Sequence, residues 1–242
     1  MKLLHFSVIP MLLLVFLAVP ALADMGPPPN IIYILADDLG YRELGSYGQE
    51  KIKTPRLDAL AAEGMRFTQH YSGAPVCASS RCVLMTGLHC GHSLVRNNWE
   101  NGGWGEFQPE GQYPLPTGTR TMARLLKEAG YTTGVFGKWG LGGPGTTGAP
   151  EVQGFDHSCT VICQRKAHNF YPNHLWKNGE KVILDGNGWF KAHQKIKEPL
   201  ATEQEYYDRY LRERYMADVF LEEALGFIDK AHTSNQPFFL YY

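Results

Sequence analysis

Cys77 stands four residues ahead of Arg81 in the run Pro75-Val-Cys-Ala-Ser-Ser-Arg-Cys-Val-Leu-Met-Thr-Gly87. On a helix starting near Ala78 the two side chains share one face, one turn apart. A group at 77 then feels the positive end of the helix dipole and a guanidinium, which together favour an anionic or polar species over a buried neutral one. Cys77 is the candidate reacting group, and half of a disulfide is its alternative. A second centre is Asp37-Asp38, directly after the apolar run Asn30 to Ala36. Adjacent carboxylates repel unless a cation or donor neutralises them, and hard oxygens suit Ca²⁺ or Mg²⁺; the plainer reading is a turn cap with Gly40 supplying the bend. Lys138 ends another apolar run, where an ammonium can hold an oxygen that gains charge as a leaving group departs. His168 offers an acid, a base or an anion contact. A solvated lysine and a structural histidine are the alternatives for those two.

These groups need a scaffold. Asn30–Ala36 reads as a strand buried on both faces, delivering the acids to its carboxyl end, where open α/β sheets put their ligands. Thr54-Pro55 through Gly64 carries helix start and stop signals around a stripe of Leu57, Leu60 and Ala61. Met65–Tyr71 reads as a strand leading to Cys77, and Leu88–Gly118 as a long loop able to shape substrate access. Met122, Leu125, Leu126 and Ala129 recur at helical spacing before Gly130, and Tyr131–Lys138 follows as a strand. Thr202–His232 is largely helical, with a stripe of Ala217, Leu221, Ala224, Leu225 and Ile228. Gln236-Pro237 stops it before Phe238–Tyr242, a buried strand. The alternation of strands and helices indicates an α/β protein.

The first 23 residues, a lysine followed by an apolar run to Val19 and the small-x-small end Ala21-Leu22-Ala23, predict a secretory signal peptide cleaved after Ala23. The span is broken by Pro10 and Pro20 and barely long enough for a bilayer, so no stable membrane anchor is expected once it is removed. With 23 basic and 24 acidic residues the formal charge is −1, which suggests neither a nucleic-acid binder nor a polybasic membrane-surface protein. Cys82, Cys90, Cys159 and Cys163 allow two bridges of unassigned pairing. Cys159, Cys163 and His168 also allow zinc, without the second close pair that zinc spacing asks for.

Cys-x-x-x-Arg followed by Thr-Gly resembles the Cys-x-Pro-Ser-Arg signature of type I sulfatases, with Ser79 where the proline usually stands. Asn30–Gly40 looks like that family's first strand with its Asp-Asp metal ligands, and Thr54–Gly64 resembles its Thr-Pro-x-Leu-Asp-x-Leu-Ala-x-Glu-Gly helix. Gly137-Lys138-Trp139-Gly140 resembles its Gly-Lys-Trp-His motif with glycine in place of the histidine. Gln164–Pro172 is similar to the Ala-His-x-Tyr-Tyr-Pro segment of members that have that glycine. The resemblance implies an alkaline-phosphatase-like fold, a mixed, mostly parallel sheet with helices on both faces. It implies a sulfuric ester hydrolase, arylsulfatase-like, in which Cys77 is converted to formylglycine by a maturase. Asp37, Asp38 and residue 77 would hold a divalent metal, Ca²⁺ before Mg²⁺, with Arg81, Lys138 and His168 completing the catalytic set and His168 substituting for the missing histidine. The substrate would be a sulfated small molecule or glycan. A phosphomonoester or phosphonate hydrolase of the same superfamily is the rival enzyme, and a non-catalytic remnant or binder of sulfated glycans is the other alternative. Because the chain stops on its last strand, 24–242 is expected to be the N-terminal part of a catalytic domain, incomplete at its C-terminus and impaired in turnover.

Overall fold

The computed structural model describes residues 26–100, 102, 105–106, 110–189 and 199–242; the expected signal peptide lies outside them. Strands β1 (Ile31–Tyr33), β2 (Thr132–Lys138), β3 (His157–Val161), β4 (His174–Lys177), β5 (Glu180–Ile183) and β6 (Phe238–Tyr241) form one sheet in the order β1-β6-β2-β3-β4-β5. The first four in that order run parallel, while β4 pairs antiparallel with β3 and β5 antiparallel with β4. The β4–β5 hairpin turns on Asn178-Gly179, both at positive φ, the pair a type I′ turn demands.

Side chains alternate across the sheet and feed two cores. On one face Phe136, Phe238 and Leu240 pack under α6 (Met216–Ser234) through Val219, Phe220, Ala224 and Phe227. On the other, Val135, Phe239 and Tyr241 pack with Ala78, Cys82 and Met85 of α2 (Cys77–Thr86) and Ala123 of α3 (Met122–Glu128). Trp139 and Phe155 meet edge-on at 5.7 Å in that second core, and the Trp139 indole donates to Gly148 O at 2.8 Å. Helices therefore cover both faces of a mostly parallel sheet, as the sequence resemblance implies.

Four expectations are corrected. β1 is half-covered rather than buried on both faces: Ile31, Tyr33 and Leu35 join the second core, but Ile32 and Ile34 are 53% and 64% exposed, because β1 lies at the sheet edge while α6 packs on β2, β3 and β6. Met65–Tyr71 forms no strand, and Met65, Phe67 and Tyr71 are exposed. The helix α1 (Pro55–Glu63) forms as its signals require but buries none of its residues. Residues 202–232 are two helices, α5 (Glu203–Asp208) and α6, and the buried stripe of α6 is Met216, Val219, Phe220, Ala224, Phe227 and Ala231, with Leu221 and Leu225 half-exposed. Among the described residues no helix is long and apolar enough to cross a membrane.

Candidate active site

Three parallel strands, β1, β6 and β2, end side by side, and their carboxyl ends carry Asp37, Tyr241 and Lys138. The chain after β1 bends at Asp38, whose φ of 58° is left-handed, a conformation aspartate tolerates better than most residues. The turn falls on Asp37 and Asp38 and not on Gly40, and the Asp37 carboxylate is engaged by Lys138 and Arg81. The helix α2 begins at Cys77 itself, one residue earlier than the spacing suggests, after an extended Val76 that supplies no side-chain cap. Asn98 Oδ1 instead accepts from the Ala78 N–H at 2.8 Å, satisfying one of the free amides at the helix start. Cys77 thus sits at the positive end of α2, with Arg81 one turn along and 4% exposed.

Lys138 gathers the site. Its Nζ donates to Asp37 Oδ2 at 2.8 Å and to Cys77 Sγ at 3.2 Å, and lies 3.5 Å from His168 Nε2. Arg81 Nη2 stands 3.4 Å from Asp37 Oδ1, so the carboxylate is gripped from two sides. Burial works to raise the Asp37 pKa, but the Lys138 hydrogen bond and the Arg81 and Lys138 charges outweigh it and hold the carboxyl below its usual range. Tyr241, buried under this cluster, has its phenol pushed up to about 12 by burial, with Arg81 opposing the shift. The five predicted residues Asp37, Cys77, Arg81, Lys138 and His168 are therefore brought together, and Asp38 lines the same two cavities beside Cys77.

One cavity, about 530 Å³, is walled by Cys77, Asn98, Glu100, Gln164, Arg165 and His168 among others. The helix α4 (Gln164–Ala167) places Gln164 and Arg165 there and hands on to His168, while Arg165 Nη2 pairs with Glu100 Oε2 at 2.9 Å. A second cavity, about 200 Å³, runs beneath Asp37, Asp38, Ser80 and Arg81. A larger groove of about 740 Å³ beside α1 holds none of these groups. Sequence reasoning left Asn98, Glu100, Gln164 and Tyr241 without a role, since no spacing ties them to Cys77. Cys159 and Cys163 are buried free thiols, and all five cysteines are free. Burial pushes the Cys159 thiol up to about 12. His168 serves the Lys138 cluster instead of those sulfurs.

Two carboxylates and the side chain at 77 are hard-cation donors in kind once 77 carries oxygen, and the two cations already drawn to Asp37 show how strongly this corner attracts positive charge. Their number falls short of the roughly six to eight oxygens that Ca²⁺ takes, and among the described residues no group of three His, Cys, Asp or Glu stands ready for a metal.

Gly140, at the place of the missing histidine, has φ +76°, and a Cβ there would stand 2.3 Å from Gln164 Nε2. Gly140→Ala is expected to lower stability by about 1–2 kcal/mol, chiefly through the left-handed backbone. Urea denaturation checks this, and a midpoint equal to that of the unsubstituted protein refutes it.

Asp37, Asp38, Cys77, Arg81 and Lys138 thus stand together at the carboxyl end of a mostly parallel α/β sheet. A model of the sulfatase family matches residues 29–242, and the chain belongs to that family. It is 31% identical over 232 residues to arylsulfatase G of Rattus norvegicus, covering 89% of this chain and 40% of the relative. N-acetylgalactosamine-6-sulfatase of the same animal is 32% identical over 238 residues, covering 96% and 42%. The crystal structure of Ps i-CgsB in complex with k-i-k-neocarrahexaose superposes with a TM-score of 0.65 at 28% identity, over 88% of this chain and 44% of that one. A structure from work on glycosaminoglycan metabolism by Bacteroides thetaiotaomicron gives 0.65 at 27%, over 89% and 50%. The chain spans about two fifths of the length of these curated relatives.

Proposed function

We propose that the protein hydrolyses sulfate monoesters, with residue 77 as nucleophile. The observation that carries this is the convergence of Lys138 on Cys77 Sγ, Asp37 and His168 within 3.5 Å, inside a chain of the sulfatase family. Cys77 Sγ stands in for the oxygens of formylglycine, whose hydrate supplies one hydroxyl to attack sulfur and a second to release sulfate without separate attack by water. Arg81, held at the nucleophile's helix, stabilises negative charge on that oxygen by a charge-assisted hydrogen bond. Lys138 places an ammonium where the sulfuryl oxygens and the departing alcohol gain charge. His168, next to Lys138, is the group able to pass a proton to the alcohol or take one from the second hydroxyl. Asp37, Asp38 and residue 77 would hold a divalent cation, Ca²⁺ by preference for hard oxygens, which when bound supplies Lewis-acid charge stabilisation.

The donors short of a full shell support a further reading: residues 24–242 form the N-terminal part of a catalytic domain, with the remaining ligands outside this sequence, so that turnover by this chain alone is slow. The amino-terminal pattern supports export, and a formylglycine-generating maturase is the partner that residue 77 requires. Co-expression with such a maturase followed by intact-mass measurement reports both steps, since the aldehyde is lighter than the thiol and cleavage after Ala23 removes the leader. The converted protein is expected to release nitrophenol from 4-nitrophenyl sulfate faster than from 4-nitrophenyl phosphate. Faster phosphate turnover rejects the sulfatase reading in favour of a phosphatase.

A further inference from the structure

Gln164 is 2% exposed, and neither its amide nitrogen nor its amide oxygen has a hydrogen-bond partner among the described residues. It fills the space that a side chain at 140 would take, since a Cβ on Gly140 would lie 2.3 Å from Gln164 Nε2. Its neighbours around the 530 Å³ cavity include Cys77, Asn98, Glu100, Arg165 and His168, with Pro75 and Val76 as the apolar contribution. A buried amide with both ends unmatched is costly, and native proteins keep such groups where something completes them. The amide NH₂ donates and the carbonyl accepts, so the matching ligand group is one that does both. A hydroxyl does both. Sulfate oxygens only accept, and an aryl or steryl ring offers neither.

We propose that Gln164 binds a hydroxyl of the alcohol half of the substrate and so selects sulfated saccharides over aryl and steryl sulfates. This rests on the sulfatase reading of the site. The glycine at 140 and the glutamine at 164 then work as a pair: the absent side chain opens the room in which the amide reaches the cavity beside residue 77. The Glu100–Arg165 pair, at 2.9 Å, adds a polar wall on which an apolar leaving group would desolvate charge without return, whereas further hydroxyls would be matched.

The test measures binding by calorimetry in a Cys77→Ala background, so that nothing is consumed. The probes are galactose 6-sulfate, glucosamine 6-sulfate and 4-nitrophenyl sulfate. Adding Gln164→Leu is expected to weaken the sugar sulfate that binds by about 10-fold or more, and to leave 4-nitrophenyl sulfate within ~2-fold. Gln164→Met, closer in shape, is expected to do the same, and both variants should melt no lower than their parent because an unmatched amide has gone. Equal weakening of sugar and aryl sulfates means Gln164 touches the sulfate and overturns the proposal, as does no change in either. Binding of 4-nitrophenyl sulfate without either sugar sulfate overturns the role of Gln164 and leaves the sulfatase reading standing. Absence of binding by all three overturns both.

Discussion

Glu110→Ala is expected to cost the fold about 3–5 kcal/mol, read from urea denaturation, because it strands a buried ammonium and leaves a buried imidazole N–H without its acceptor. The Glu110 carboxylate is 4% exposed; Lys166 Nζ reaches Oε1 at 2.7 Å with a side chain 6% exposed, and the His174 ring, 3% exposed, donates from Nε2 to the same oxygen. Asn173 Oδ1 faces His174 Nδ1 at 2.8 Å, and the Trp176 indole approaches Oε2 at 3.4 Å. Burial alone would raise the Glu110 pKa. The His174 hydrogen bond and charge, followed by those of Lys166, overcome it and bring the value from 4.5 down to about 2. A carboxyl depressed on folding stabilises the native state above its unfolded pKa and loses that contribution as pH falls through the folded one. The contribution should therefore be complete above 4.5 and decline between 4.5 and about 2, and the alanine variant should lack this acid limb. A loss below about 1 kcal/mol, the range of an exposed pair, sinks this account. Replacing all three partners by apolar residues is a different experiment and need not destabilise at all. The cluster matters to the site because Lys166 lies in α4 between Gln164 and His168, so Glu110 fastens the segment that carries both.

Why this cluster escaped sequence reading, while Cys77 and Arg81 did not, is a matter of path length along the chain. Cys77 and Arg81 lie one helical turn apart, and the helix itself makes their meeting. Asp37-Asp38 and Lys138 could be placed because each follows an apolar run, and parallel strands bring such ends to one edge. Glu110 and His174 are joined only by tertiary packing across 64 residues, and nothing in their spacing announces it. The error on α6 is of another kind. That helix carries apolar residues all round, among them Leu221 and Leu225 as well as Val219, Phe220 and Phe227, so its period is clear and its phase is not; the sheet chose the face. β1 was recognisable by its β-branched run, but its cover depends on where α6 ends. Met65–Tyr71 has the composition of a strand but pairs with neither edge of the sheet, β1 or β5, and hydrogen bonding between strands, not composition, makes a strand.

Cys77→Ala should remove sulfate-ester hydrolysis by about 10⁴-fold or more, since a covalent route has no substitute for its nucleophile. Lys138→Ala should cost about 10²–10³-fold in kcat, the range for losing one preorganised donor to developing charge. Both are measured on 4-nitrophenyl sulfate with maturase-treated protein and a mass check of residue 77, which separates a lost catalyst from a lost modification. Lys138→Arg should not restore activity. The ammonium is a compact charge meeting Asp37, residue 77 and His168 within 3.5 Å, and a planar fork of five donors cannot occupy that point without displacing one of them. Lys138→Ala also leaves Asp37 to Arg81 alone at 3.4 Å, so the Asp37 carboxyl should titrate closer to its ordinary range. The double variant decides whether these groups act as one machine. If Lys138 works only on the reaction that begins at residue 77, adding Lys138→Ala to Cys77→Ala should cost nothing further, because the effects of residues acting as a unit do not add. A full additional loss would show Lys138 serving substrate binding independently, and a single Lys138→Ala variant within about tenfold of the parent would remove it from the catalytic set.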